Sequence, residues 1–218
     1  MADNTAFKKK WENYWYYYKW HTFAAIFILF LAAFFVKDLV FAEKFDITVT
    51  IAVQGSVFDD QQQNLKANFE KYAEDINGDG KVNVGLNIIS FPNNVETADP
   101  QVMTALSTRL MAEFSLPDSH IYIFDKWTYE RIFHSDDETA NFAVDLAKTY
   151  GGKKGIDGYK YKIAQSPLAE GEYVNKLKDN WFLVMRGSDN SVVNKSSDSK
   201  KYYEANKRLM DKLMQQAE

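Results

Sequence analysis

Asp75, Asn77, Asp79, Lys81 and Asn83 stand at alternate positions of the run Asp-Ile-Asn-Gly-Asp-Gly-Lys-Val-Asn. In calcium loops, oxygen-bearing side chains at positions 1, 3 and 5 converge on one ion, and glycine at position 6, here Gly80, permits the sharp turn. Lys81 would contribute its backbone carbonyl, and Asn83 acts directly or through a water. The chemistry this pattern suits is coordination of Ca2+ as a structural ion, pinning a helix to the strand that follows. Position 12 is Leu86, where an acid normally closes the shell, so tight binding needs a carboxylate from elsewhere. The same residues also make a helix-to-strand turn without metal, because Asn-Gly and Asp-Gly supply positive φ unaided.

Residues suited to catalysis form no comparable pattern. Cysteine is absent, which removes thiolate nucleophiles, disulfides and zinc–thiolate sites. His21 lies in an apolar stretch, His120 opens an apolar strand and reads as structural, and His134 precedes a capping box. No G-x-S-x-G, H-E-x-x-H, Walker loop or G-x-G-x-x-G occurs. The pairs Asp59-Asp60 and Asp136-Asp137 sit at helix starts, where capping and the helix dipole account for them. Gly151-Gly-Lys-Lys-Gly155 lacks the strand–helix setting of a phosphate loop. The expectation is a protein that is not an enzyme, with a carboxylate pair assembled only in space as the catalytic alternative. Trp127, Tyr129, Tyr159, Tyr161 and Trp181 read as core and loop anchors, with a sugar or peptide groove as the alternative.

The elements that must carry these residues begin with a membrane segment. From Trp20 to Val36 no side chain has a fixed charge, and Phe23 to Val36 is wholly apolar. As a helix, Trp20 to Val36 spans about 25 Å, slightly short of a hydrocarbon core of about 30 Å, and Leu39 to Phe41 complete the crossing if Lys37 snorkels. Lys8, Lys9, Lys10 and Lys19 precede it, so the positive-inside rule places the N-terminus in the cytoplasm. Trp11, Tyr14, Trp15 and Tyr18 recur at helical spacing, as an interfacial stripe running into the span. A signal peptide cleaved near Val40-Phe41-Ala42 is the alternative.

The chain of 218 residues is thus divided into a cytoplasmic aromatic and basic segment (1–19), a transmembrane helix (20–42) and one extracytoplasmic domain (43–218). Net charge is −4; residues 1–36 hold four lysines against only Asp3 and Glu12, a balance of +2, so the remainder carries −6 and the outer domain is the acidic part. That argues against nucleic acid as a partner.

Within the domain, strand and helix patterns alternate. Ile47, Val49, Ile51 and Val53 oppose Thr48, Thr50 and Ala52 as in a strand. A helix follows with Leu65, Phe69 and Tyr72 on one face, ending near Asp75. Val82 to Phe91 is the second strand, Asp99-Pro100 starts the next helix, and His120 to Asp125 reads as a strand buried on both sides. A capping box at Ser135–Glu138 predicts a helix through Phe142, Leu146 and Tyr150. Tyr159 to Ala164 and Trp181 to Met185 are strand candidates, and Tyr202 to Met214 is a last helix. The predicted fold class is α/β, a three-layer α-β-α domain with a mostly parallel or mixed sheet behind one transmembrane helix.

Phe69-Glu70 closing an early helix, then Pro117-Asp118-Ser119 before the Ile121–Asp125 strand, resemble one lobe of the extracellular solute-binding proteins of ABC importers. The resemblance covers roughly residues 45 to 130. It implies an extracytoplasmic binding domain, while the family's solute lies between two lobes and this chain has length for one. The expected function is a membrane-anchored accessory domain that serves as a platform for a membrane or envelope protein. A receptor for a small solute is the alternative. The lipid bilayer is the one partner common to both readings.

Overall fold

The computed structural model describes residues 3–40, 45–133, 139, 141–170 and 180–215. The chain divides into two compact units, Met1–Lys44 and Phe45–Glu218. His134, Ser135–Glu138 and the Phe41-Ala42 part of the cleavage motif lie outside the described residues.

The first unit is one uninterrupted helix, α1 (Asp3–Val40). Within it, Lys8–Phe35 is long and apolar enough to cross a membrane. Its 38 residues measure about 57 Å end to end, longer than the hydrocarbon core by nearly the same length again. The stripe stacks as its spacing requires, with Trp11 against Trp15 at 6.4 Å and Tyr14 against Tyr18 at 5.4 Å between ring centres. Tyr16, Tyr17 and Trp20 are exposed as well and lie off that stripe. The aromatics therefore form a collar around the helix.

The second unit is built on a six-stranded mixed sheet in the order β2-β1-β3-β6-β5-β4. Its strands are β1 (Ile47–Gln54), β2 (Val84–Phe91), β3 (Ser119–Asp125), β4 (Ile156–Asp157), β5 (Lys160–Lys162) and β6 (Trp181–Met185). β1 runs parallel to β2 and β3, whereas β6, β5 and β4 continue antiparallel. Helices α2 (Asp59–Glu70) and α3 (Pro100–Glu113) are the crossovers, α4 (Lys126–Ile132) and α5 (Leu146–Tyr150) are short, and α6 (Ser197–Gln215) closes the chain.

Alternation along the central strands sorts the core into two clusters. Ile47, Val49, Ile51 and Val53 of β1 join Leu65 and Phe69 of α2 and Leu209 and Leu213 of α6. Ala52 of β1, with Tyr122 and Phe124 of β3, joins Leu110 of α3. The period of two puts successive side chains on opposite faces, which is why a strand buried at every position, such as β3, must be covered twice. Each large side chain so enclosed, Phe69 for example, contributes about 1.5–3 kcal/mol.

Two expected helices are shorter than their patterns. α2 stops at Glu70 rather than near Asp75, and Tyr72 N–H then turns tightly onto the Phe69 carbonyl at 3.1 Å. Contacts distant in sequence hold that turn: Lys212 Nζ donates to the Tyr72 carbonyl at 3.2 Å and to Glu74 at 2.8 Å, and Arg208 Nε to Glu74 at 2.9 Å. The helix expected through Phe142 to Tyr150 is broken in its middle. Ala143 bridges to Arg186, and Val144 N–H donates to the Met185 carbonyl at 2.8 Å. Asp145 then caps α5 afresh by accepting the Lys148 N–H at 2.9 Å.

Candidate functional site

In an open sheet of this order the topological switch lies between β1 and β3, at their carboxyl ends, where ligands of α/β domains bind. Gln54, Gly55 and Asp125 occupy that position. Asp125 accepts the Gln54 N–H at 2.8 Å with one carboxylate oxygen, and with the other the Thr128 N–H at 2.8 Å as the cap of α4. Gly55 (φ 82°) turns beneath Asn93, whose Oδ1 lies 2.8 Å from where a Cβ would be. The carboxyl ends of β1 and β3 are thus laced together by Asp125, which spends both oxygens on backbone.

The predicted metal residues form a closed loop between α2 and β2. Asp75 accepts the N–H of Gly78 at 2.6 Å and of Gly80 at 2.8 Å. Asn77 Oδ1 accepts from Asp79 N–H at 2.8 Å, and Asp79 Oδ1 from Lys81 N–H at 2.9 Å. Gly78 and Gly80 take positive φ of 77° and 82°. Asp75, Asn77 and Asp79 therefore curl their oxygens onto one short stretch of backbone, an oxygen-rich set of the kind Ca2+ accepts. The set falls short of six to eight ligands without water or a further acid. Leu86 lies in β2, and among the described residues no group of three His, Cys, Asp or Glu gathers around an ion-sized space. Four successive loop N–H groups already have acceptors, so the turn also stands without metal.

Asp46 was not singled out by spacing, yet it ties this loop to the sheet. It is fully buried and accepts N–H from Ile76 at 2.7 Å, Asn77 at 3.0 Å and Asn83 at 2.8 Å. An acid immediately before a buried apolar strand was the available signal.

A second polar group lies at the start of β3. Thr48 pairs with Ser119 and Val49 with Ile121, so His120 is the extra residue of a bulge, a device that re-aims a side chain. Ser119 Oγ meets Thr50 Oγ1 at 2.8 Å, while His120 packs edge-on against Tyr203 of α6 at 5.4 Å. Burial, and then the Arg186 charge, push the His120 pKa down to about 4, against a weaker opposing pull from the Pro117 and Ser199 backbone. The imidazole is neutral at neutral pH, and neither ring nitrogen makes a well-formed hydrogen bond among the described residues. His120 is thus a neutral imidazole packed inside the domain.

Arg186 continues β6 into the face opposite its neighbour Met185 and is fully buried. Its Nη2 donates to the Tyr122 hydroxyl, and its guanidinium stacks over Tyr122 at 5.6 Å and Phe142 at 5.8 Å. Nε, Nη1 and the nearby Glu113 Oε2 are buried without hydrogen bonds among the described residues. A charge so enclosed is costly, and the sequence signal for it was a cation ending an otherwise apolar strand.

The aromatics considered for a groove divide between the faces. Tyr161 and Trp181 lie in the cluster with α2 and α6, whereas Trp127, Tyr129 and Tyr159 pack against the other. Compared with known proteins, the chain matches no family model, no curated protein and no solved structure.

Proposed function

We propose that this protein is a non-enzymatic, membrane-anchored accessory domain, its three-layer α-β-α fold resembling one solute-binding-protein lobe and serving as a platform for a membrane or envelope protein. The observation that carries the reading is the pairing of a membrane-length apolar helix with a separate α/β unit whose switch point between β1 and β3 is laced by Asp125. The lysines before the span favour a cytoplasmic N-terminus and an extracytoplasmic domain. The collar of Trp and Tyr is suited to the headgroup layer, where such rings prefer to sit. Ca2+ in the loop of Asp75, Asn77, Asp79, Lys81 and Asn83 would be structural, holding the end of α2 to β2.

The test is membrane fractionation followed by labelling with an impermeant thiol reagent, since the native chain has no cysteine. The variant Lys153→Cys should be labelled from outside intact cells, and the complex with a membrane protein should survive mild detergent. Labelling only after lysis would overturn the orientation. A protein that runs alone in detergent and gains thermal stability with one solute would replace the platform by a solute receptor. That second reading is favoured by the switch point between β1 and β3, where such domains take ligands.

A further inference from the structure

β2 is an outer strand of the sheet, and its backbone discloses which residues face outward. The carbonyls of Asn83 and Phe91 accept from the N–H of Asp46 at 2.9 Å and of Gly55 at 2.8 Å, both on the β1 side. The pairing of β1 with β2 runs from Ile47–Val84 to Gln54–Phe91 without a shift. Odd-numbered residues of β2 therefore turn N–H and C=O toward β1, and Val84, Leu86, Ile88 and Ser90 turn theirs away; Glu70 accepts the Val84 N–H at 3.3 Å, so the open part of the edge is Leu86 to Ser90. Among the described residues no hydrogen bond reaches the outward groups of that part. Ser90 is exposed, and Leu86 and Ile88 are half-buried.

Exposed edges are normally blunted by charge, proline, a bulge or brevity, because unpaired backbone recruits another strand. β2 has none of these: its eight residues, Val-Gly-Leu-Asn-Ile-Ile-Ser-Phe, carry no charge and no proline. The opposite edge, β4, has only two residues. One long edge and one short edge favour a closed pair of sheets over an open fibre. The long edge is also self-complementary. Paired antiparallel about Ile88, it sets Ile88 opposite Ile88 and Leu86 opposite Ser90, with no charges to repel.

We propose that the edge of β2 pairs antiparallel with the same edge of a second copy, about a two-fold axis at Ile88, joining two sheets into one. This goes beyond the accessory-domain reading and does not depend on it. The absence of native cysteine makes disulfide trapping a direct test on the full chain in membranes. Under mild oxidation Ile88→Cys should form a covalent dimer, because directly opposed residues of such a hydrogen-bonded pair have Cα atoms about 5.5 Å apart, within the span of a disulfide. Ser90→Cys and Leu86→Cys should each stay monomeric alone and cross-link when co-expressed. Ser90→Pro, added to Ile88→Cys, removes an outward N–H and leaves the β1 ladder intact, so dimer should fall to the level of the cysteine-free chain. Monomeric Ile88→Cys together with no cross-link in the mixed pair overturns the proposal. So does cross-linking of Ser90→Cys alone as strongly as Ile88→Cys, or trapping of a different polypeptide. Thermal unfolding of each variant establishes that it folds, and loss of the dimer leaves fractionation and thiol labelling unchanged, so failure here is distinct from failure of the membrane reading.

Discussion

Asp46 and Asn83 hold each other twice: Asp46 N–H donates to the Asn83 carbonyl at 2.9 Å, and Asn83 N–H donates to the Asp46 carboxylate at 2.8 Å. The first bond extends the β1–β2 ladder backward by one residue, and the second anchors the end of the loop. Because Asp46 also receives Ile76 and Asn77 N–H, its loss strands three backbone donors at once, that of Ile76 buried and those of Asn77 and Asn83 partly so. Asp46→Ala should cost about 3 kcal/mol, given about 1–3 kcal/mol for each buried partner left unsatisfied. Asp46→Asn should cost less, since it retains one acceptor oxygen. Urea unfolding of the full chain in detergent checks the order; equal stability of wild type and Asp46→Ala would refute the account.

Calcium should raise the unfolding temperature if the Asp75–Asn83 loop holds it. At a hundredfold excess over the dissociation constant the gain is about 2.7 kcal/mol. Asp79→Ala should abolish that gain while leaving the chelator-treated protein close to wild type, because among the described residues Asp79 accepts only the exposed Lys81 N–H. Asp75→Ala should weaken both states, since its carboxylate also receives Gly78 and Gly80 N–H. An identical melting curve in calcium and in chelator would leave the loop as a turn alone.

His120 should make the fold acid-sensitive. Its pKa in the folded protein is held at about 4 against an ordinary value of 6.5, so the unfolded chain takes up the proton first. Its contribution is complete above pH 6.5 and is lost as pH falls from 6.5 toward 4. The depression is worth about 3 kcal/mol across that window. His120→Gln should flatten the stability profile between those limits, whatever it does to stability at neutral pH. A profile of unchanged slope in the variant would assign the acid sensitivity to other groups.

Gly55 is required for two separable reasons. It holds φ at 82°, and a Cβ would stand 2.8 Å from Asn93 Oδ1. Gly55→Ala should destabilise by about 1–2 kcal/mol for the left-handed backbone, plus a steric part that the Asn93 side chain can relieve by moving. Asn93→Ala in the same chain should recover only the steric part. Full recovery in the double variant would show that the backbone conformation carries no cost.

The local patterns were legible in the chain: the apolar helix of membrane length, the alternation of β1, the doubly buried β3, the Asp99 cap of α3 and the turn of Asp75 to Asn83. These depend on residues within a few positions of one another, where hydropathy period and capping chemistry act directly. Where α2 stops was set by long-range contacts, because Lys212 and Arg208 reach its end from the far end of the chain. Such contacts likewise broke the Phe142–Tyr150 helix, since bonds to Met185 and Arg186 compensate for the lost helical ones. The bulge at His120 left no mark in the sequence, and for Arg186 and Asp46 the sequence offered only a charge beside an apolar strand, not its partners. Each arises from a register between strands distant in sequence, and a shift of one residue in that register moves a side chain from one face of the sheet to the other.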